Sequence, residues 1–175
     1  MSDQSFNVLF LCTGNSARSI LAESILRKDG AGRFNAFSAG SHPKGEVNPM
    51  ALSVLEEFGY PTDDMRSKAW DEFATPGSPH MDFVFTVCDQ AAGEACPVWP
   101  GQPMTAHWGI EDPSNETQGE MWKRAAFTTA FRYMKNRISV FTALPIASLE
   151  RSRLAAKIQE IGQLEGASFK TPDVA

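Results

Sequence analysis

Two hydrophobic periods take turns along this chain. Val8 to Leu11 is a short, wholly apolar run, which predicts a buried strand that stops at Cys12. After a gap of small and polar residues, Leu21, Ile25 and Leu26 return at helical spacing, so a helix is expected from about Ser19 to about Lys28. Asp29-Gly-Ala-Gly32 ends it. Phe34 to Ser38 alternates as a second strand and leads into Ser38-Ala-Gly40. Asn48-Pro49 is a helix start, a capping asparagine with proline in the first turn. Ala51, Val54, Leu55 and Phe58 are expected to face inward before Gly59 closes that helix. A weak helical turn is expected over 67–73, a third strand over Asp82 to Val87 and a fourth over Met104 to Trp108. The third strand, like the first, ends at a cysteine, Cys88. A long helix follows from about Glu120 to Phe141, with Phe127, Phe131, Met134, Ile138 and Phe141 spaced by four, three, four and three. Pro145 breaks it, a last helix runs from about Ala147 to Gln163, and the final dozen residues are expected to fray.

Strands that alternate with helices imply an α/β fold in which a parallel sheet is covered on both faces. With 175 residues the chain suits one core, with residues 1–145 as its body and 146–175 as a helical extension and tail of the same domain. Two polar loops interrupt the pattern, from Asp89 to Pro103 and from Gly109 to Gly119. Loops as long as the first are usually functional when they are ordered.

The chemistry concentrates where the first strand hands over to the first helix. Cys12 and Arg18 are separated by Thr13, Gly14, Asn15, Ser16 and Ala17, and Ser19 follows. Strand, small-residue loop and helix start make an anion cradle, in which loop amides and unpaired first-turn amides converge. Arg18 can hold an oxyanion in its planar fork. A cysteine beneath the bound atom gains nucleophilicity there, because a helix start and a nearby cation lower a thiol pKa from about 8.5 to ~3.5–7.5. At a value of roughly 6, about nine tenths would be thiolate at neutral pH. Taken singly, Cys12 can equally be an inert core thiol at a strand end. The arginine six residues on, set between strand and helix, favours the reactive reading.

Composition narrows the partners. A net charge of −5 leaves no basic footprint for nucleic acid, and any anion must be held by local amides and Arg18. No apolar run approaches the roughly 20 residues needed to span a bilayer, and the polar opening residues lack the pattern of a secretory signal. Three cysteines are no export framework, so cytoplasm is the expected setting, where disulfides are transient and catalytic.

Cys12-Thr-Gly-Asn-Ser-Ala-Arg-Ser19 resembles the signature of the low-molecular-weight protein tyrosine phosphatase superfamily. Within it, the chain is most similar to the arsenate reductases coupled to a thiol-disulfide system. That likeness continues through Ser38-Ala-Gly40, Val87-Cys-Asp89, Cys96-Pro-Val-Trp-Pro100 and His107-Trp-Gly-Ile-Glu-Asp-Pro113. It implies a three-layer fold around a four-stranded parallel sheet in the order 2-1-3-4, with the site at the carboxyl ends of the strands. It also implies that Thr13 to Ser19 bind the oxyanion and that the Cys12 thiolate attacks arsenic. Cys88 would then take over the sulfur, Cys96 would relay the electrons, and Asp112 would act as general acid. Asn15, Glu23 and Ser38 would hold a potassium ion. No organic cofactor is implied, and the reductant would be an external thiol, either thioredoxin or glutaredoxin with glutathione. Seven residues separate Cys88 from Cys96, one more than the thioredoxin-coupled type leads one to expect, so both donors stay open.

Two other readings compete. A phosphatase acting on phosphotyrosine or small phosphoesters needs only Cys12, Arg18 and Asp112. Phosphatases of the superfamily usually carry tyrosines after Asp-Pro, whereas Ser114-Asn115 follow Pro113 here. A non-enzymatic oxyanion-binding or redox-sensing module would use Leu149, Leu154, Ile158 and Ile161 as a partner face, unless that face packs onto the domain. A zinc site at Cys88, Cys96 and His107 lacks the cysteine spacing of a zinc knuckle. His42, His80 and His107 carry little weight as catalysts, and Glu111 reads as a solvated charge.

Overall fold

The computed structural model describes residues 4–92, 99 and 101–168. Its strands are β1 (Phe6–Leu11), β2 (Phe34–Ala39), β3 (Phe83–Thr86) and β4 (Met104–His107). The helices are α1 (Arg18–Asp29), α2 (Pro49–Glu57), the one-turn α3 (Asp89–Ala92), α4 (Glu120–Thr142) and α5 (Arg151–Gly162). All pairings are parallel and the strand order is β2-β1-β3-β4. The expected α/β class, strand number and order are thus found.

Val8 to Leu11 are fully buried because β1 lies between two neighbours and is covered on both faces. Val8 and Phe10 belong to the larger core, with residues of α1, α2, α4 and α5. Leu9 and Leu11 point the other way, into a thinner layer with Phe73, Met81, Val84 and Trp99. Over that second face the expected helical turn is present as a single 3-10 turn, Trp70–Phe73. At the centre of the larger core, Phe85 stacks on Trp108 with ring centroids 3.8 Å apart, and Phe141 meets both edge-on.

The register sets up the site. Leu11 pairs with Thr86, and Val87 N–H donates to Leu11 O at 2.8 Å. Cys12 and Cys88 therefore leave neighbouring strands side by side.

Two expectations need correction. Phe58 does not face inward: α2 ends at Glu57, so Phe58 takes the cap position, 42% exposed, and stacks on Phe131 at 4.6 Å. The stretch after α5 does not fray over residues 164–168. Arg137 of α4 is fully buried, and its guanidinium donates to Glu165 O at 3.0 Å and Leu164 O at 3.1 Å. A buried cation must be solvated by something, and here two carbonyls beyond α5 do it together with Tyr133 O.

The face of α5 packs onto the domain. Leu154, Ile158 and Ile161 are buried, and Trp108 Nε1 donates to Ile158 O at 2.9 Å. Gly162 permits the approach, since a Cβ there would overlap His107 O and lie 3.1 Å from the Trp108 ring. Ile158→Ala should therefore lower unfolding free energy by about 2–5 kcal/mol in urea titrations. A change within about 0.5 kcal/mol, as at ordinary surface positions, would mean that this face is free.

Candidate active site

Between β1 and α1 the chain turns through a cradle that encloses a cavity of about 210 Å³, lined by Cys12 to Arg18 together with His42, Lys44, Gln90, Asp112 and Ser114. The loop bends at Asn15, whose φ of 44° lies in the left-handed region that asparagine tolerates better than most residues. Its side chain makes the bend stable. Asn15 Nδ2 donates to Ser19 Oγ at 2.8 Å and Ser38 Oγ at 3.0 Å, and Oδ1 accepts from Lys68 N at 2.9 Å. Outside the loop, His42 N–H donates to Thr13 O and Lys44 N–H to Gly14 O, while the Ser67 hydroxyl also donates to Gly14 O. Gly40 has to be glycine, because a Cβ would overlap Thr13 O and come within 2.7 Å of Cys12 O.

α1 starts at Arg18 without a capping side chain and with no acid in its first turn, so its first amides are left for an anion. Arg18 is the cradle's fork. Its Nη1 donates to Ile110 O at 3.0 Å, and Nη2 lies 3.4 Å from Asp112 Oδ2. Its Nε is buried without a hydrogen-bond partner, a costly state that a bound oxyanion would relieve. Asp112 is held at the rim, where Oδ1 accepts from Ser114 N at 2.9 Å and Ser114 Oγ at 2.7 Å.

Cys12 and Cys88 lie at neighbouring strand ends beneath the cradle, both buried and unbridged. Cys88 Sγ accepts from Thr13 N at 3.3 Å and Ala91 N at 3.4 Å, and Thr13 Oγ1 lies 3.6 Å away. The hydrogen bond from the Cys12 thiol adds the largest effect, and together these donors lower the Cys88 pKa to about 5. Cys12 is pushed the other way, well above the ordinary thiol range. That same hydrogen bond and burial outweigh the attraction of Arg18. The expected lowering at Cys12 is therefore corrected: the lowered thiol is Cys88. Of the two neighbouring thiols, Cys88 has the more donors with which to hold a charge.

The three residues expected to hold potassium also converge, but a protein cation already sits among them. Lys68 Nζ lies 3.4 Å from Glu23 Oε1, 3.3 Å from Ser38 Oγ and 3.1 Å from Arg66 O. Burial pulls the Lys68 pKa down, while Glu23 acts to hold it up. Glu23 is paired a second time, with Arg27 at 2.7 Å. A potassium ion would have to displace the ammonium, so this donor set does not fit the ion. Among the described residues no cluster of three or more His, Cys, Asp or Glu forms a metal site.

Cys12 to Ser19, Cys88 and Asp112 are thus gathered at one end of the sheet, whereas Cys96 lies outside the described residues. Sequence reasoning missed Lys44, Gln90, Ser114 and Lys68. Only Ser114 carried a local signal, as a turn residue beside Asp112-Pro113. Lys44 and Lys68 reach the site through loops whose paths no pattern encodes, and Gln90 through the one-turn α3 that no apolar period announces. His107 is a polar bridge, with Nε2 2.7 Å from Asp89 Oδ1 and Nδ1 2.7 Å from Thr86 Oγ1.

Comparison with known proteins agrees with this geometry. The family model described as low molecular weight phosphotyrosine protein phosphatase matches residues 7–154. An arsenate reductase of Bacillus licheniformis is 36% identical over 118 residues, covering 66% of this chain and 81% of its own. One from Halalkalibacterium halodurans is 33% identical over 134 residues, covering 77% and 93%. A solved structure described as an arsenate reductase in the phosphate binding state superposes with a TM-score of 0.64 at 27% identity, over 79% of this chain and 97% of the other.

Two outcomes test the electrostatics. In a Cys96→Ser background, thiolate absorbance should show one thiolate with a midpoint near about 5. Carbon-13 labelling of the cysteine Cβ atoms should assign that midpoint to Cys88; a midpoint at Cys12 instead would put the charge there. Exchanging potassium for sodium or lithium at equal ionic strength should leave the thermal midpoint unchanged. Lys68→Ala, which breaks a buried pair, should cost about 3 kcal/mol and make stability respond to potassium.

Proposed function

The chain belongs to the low molecular weight phosphotyrosine protein phosphatase family, and from that membership we propose that it reduces arsenate to arsenite. The observation that carries this reading is the second sulfur. Cys88 leaves the strand beside that of Cys12, and its sulfur accepts from Thr13 N–H beneath the cradle, where phosphoester hydrolysis needs no second thiol.

The cradle amides and Arg18 hold the oxyanion over Cys12. The Cys12 sulfur attacks arsenic while its proton passes to Cys88, and an arsenate oxygen leaves as water with a proton from Asp112. Cys88 then attacks the Cys12 sulfur and releases its proton. The S–As bond breaks with its electron pair left on arsenic, which departs as As(III). In balance, arsenic acid and two thiols give arsenous acid, one disulfide and one water. Neighbouring parallel strands lie ~4.8 Å apart. A disulfide needs Cα atoms ~4.4–6.8 Å apart, so their ends can be bridged with little movement.

The reductant that resets the pair is an external thiol, thioredoxin or glutaredoxin with glutathione, and Cys96 is the relay cysteine that passes the disulfide outward. Among the described residues no helix is long and apolar enough to cross a membrane. A reducing cytoplasm suits a disulfide that must be broken at every turnover.

A slow hydrolysis of aryl phosphates accompanies the reductase reaction, because Cys12, Arg18 and Asp112 accept phosphate as readily as arsenate. Thiols do not reduce phosphorus(V), so water instead cleaves the S–P bond of the phosphorylated Cys12, releasing inorganic phosphate and restoring the thiol. Cys88→Ser should abolish arsenate turnover, assayed with each donor in turn, and leave aryl phosphate hydrolysis within about twofold, as expected when a residue outside the chemical step is changed. Survival of both activities would overturn the reductase reading.

A further inference from the structure

Beyond the family match, which ends at residue 154, the chain runs back to the mouth of the site. Arg137 grips Leu164 O and Glu165 O as α5 ends. Gly166 then lies against the Tyr133 ring so closely that a Cβ would overlap it. Ala167 makes a bridge with Ile110, and Ser168 N–H donates to Gly109 O at 3.1 Å. These last residues share the wall of a cavity of about 820 Å³ with Arg18, Cys88 and Asp112.

Ser168 contacts the residue next to Cys88. Ser168 Oγ donates to Asp89 Oδ1 at 2.9 Å, and the same oxygen meets His107 Nε2 at 2.7 Å. Gly109 closes the junction from below: a Cβ there would come within 2.5 Å of His107 Nε2 and 2.7 Å of both Asp89 Oδ1 and Ser168 Oγ. Asp89 opens α3, and Ala91 of that turn aims its N–H at Cys88 Sγ. Holding the Asp89 carboxylate thus holds the peptide that orients the sulfur.

We propose that residues 164–168 form a tether that, through Ser168 and Asp89, positions Cys88 against Cys12 and releases it only when the Ser168–Asp89 contact opens. The role assigned to Cys88 rests on the reductase reading above. Opening is required because Cys88 is only 2% exposed. After the Cys12–Cys88 disulfide forms, an incoming thiolate must reach the Cys88 sulfur, form a new S–S bond with it and let Cys12 leave as a thiolate. A sulfur held by Thr13 N–H and Ala91 N–H at the edge of the cavity is opened to attack when its segment swings out. Ser168 is a positioning residue in this scheme and touches no reacting atom.

The test uses full-length Ser168→Ala and Ser168→Thr. Iodoacetamide labelling of Cys88 is followed by peptide mass spectrometry, and Cys12–Cys88 disulfide formation is followed in a single turnover with arsenate and no donor. Ser168→Ala should label Cys88 roughly five- to tenfold faster, the factor expected from one lost hydrogen bond, and should slow disulfide formation by a similar factor. Hydrolysis of p-nitrophenyl phosphate should not change, and Ser168→Thr should restore both thiol readouts. Unchanged labelling in Ser168→Ala would overturn the tether. So would a parallel loss of labelling contrast, phosphate hydrolysis and thermal midpoint that threonine fails to rescue, because that pattern is plain destabilisation. Faster labelling in a protein whose unaltered form yields no disulfide with arsenate would support the tether and sink the reductase reading instead.

Discussion

What this chain can do beyond binding and first attack depends on one juxtaposition, that of Cys12 and Cys88 at the ends of neighbouring strands. It exists because two parallel strands, β1 and β3, are neighbours and end at the same level, with Leu11 opposite Thr86. Parallel strands joined by a helical crossover must both point their carboxyl ends toward the same rim. A cysteine just past each strand is therefore enough to bring two thiols together, although 75 residues separate them along the chain. The same neighbourhood decides the charge: Thr13 N and Ala91 N both donate to Cys88 Sγ and favour the thiolate there.

A cradle that grips an anion in a protein of net charge −5 needs local order more than overall field. Asn15 supplies it by holding a left-handed bend in place through three hydrogen bonds, to Ser19, Ser38 and the Lys68 backbone. Lys68 then sets its ammonium against Glu23 and Ser38 behind the loop. The loop is thus braced from the rear by a covalently attached cation, and such a brace cannot be lost by dilution. Gly40 completes the arrangement by letting the end of β2 lie against the carbonyls of Cys12 and Thr13.

The parts of this structure that were legible in the sequence are those with a period or a short local motif. Val8 to Leu11 announced β1, the four-three spacing of Phe127 to Phe141 announced α4, and Asn48-Pro49 announced the start of α2 at its true position. Cys12 to Arg18 could be read as a cradle because its function needs residues that are adjacent in the chain. What could not be read depends on long-range partners. Phe58 obeys the helical period but sits one residue past the last turn, so its ring slides onto Phe131. Lys68 looks like a surface residue until β2 and α1 bring Ser38 and Glu23 to it. The thiol charge was assigned to Cys12 from its own neighbours, and only the approach of Cys88, with Thr13 and Ala91, reverses it.

The same distinction explains how one scaffold serves two chemistries. Binding and first attack need Cys12, Arg18 and Asp112, which the cradle and the Asp112-Pro113 turn provide whatever happens elsewhere. Reduction adds a requirement of a different kind, because a second sulfur must be close for one step and reachable for the next. A rigid site meets the first demand and fails the second, and a loose one does the opposite. A short turn after Cys88, anchored at Asp89 by two side chains from distant parts of the chain, meets both. Each anchor is a single hydrogen bond, strong enough to orient the sulfur and weak enough to open on the timescale of turnover.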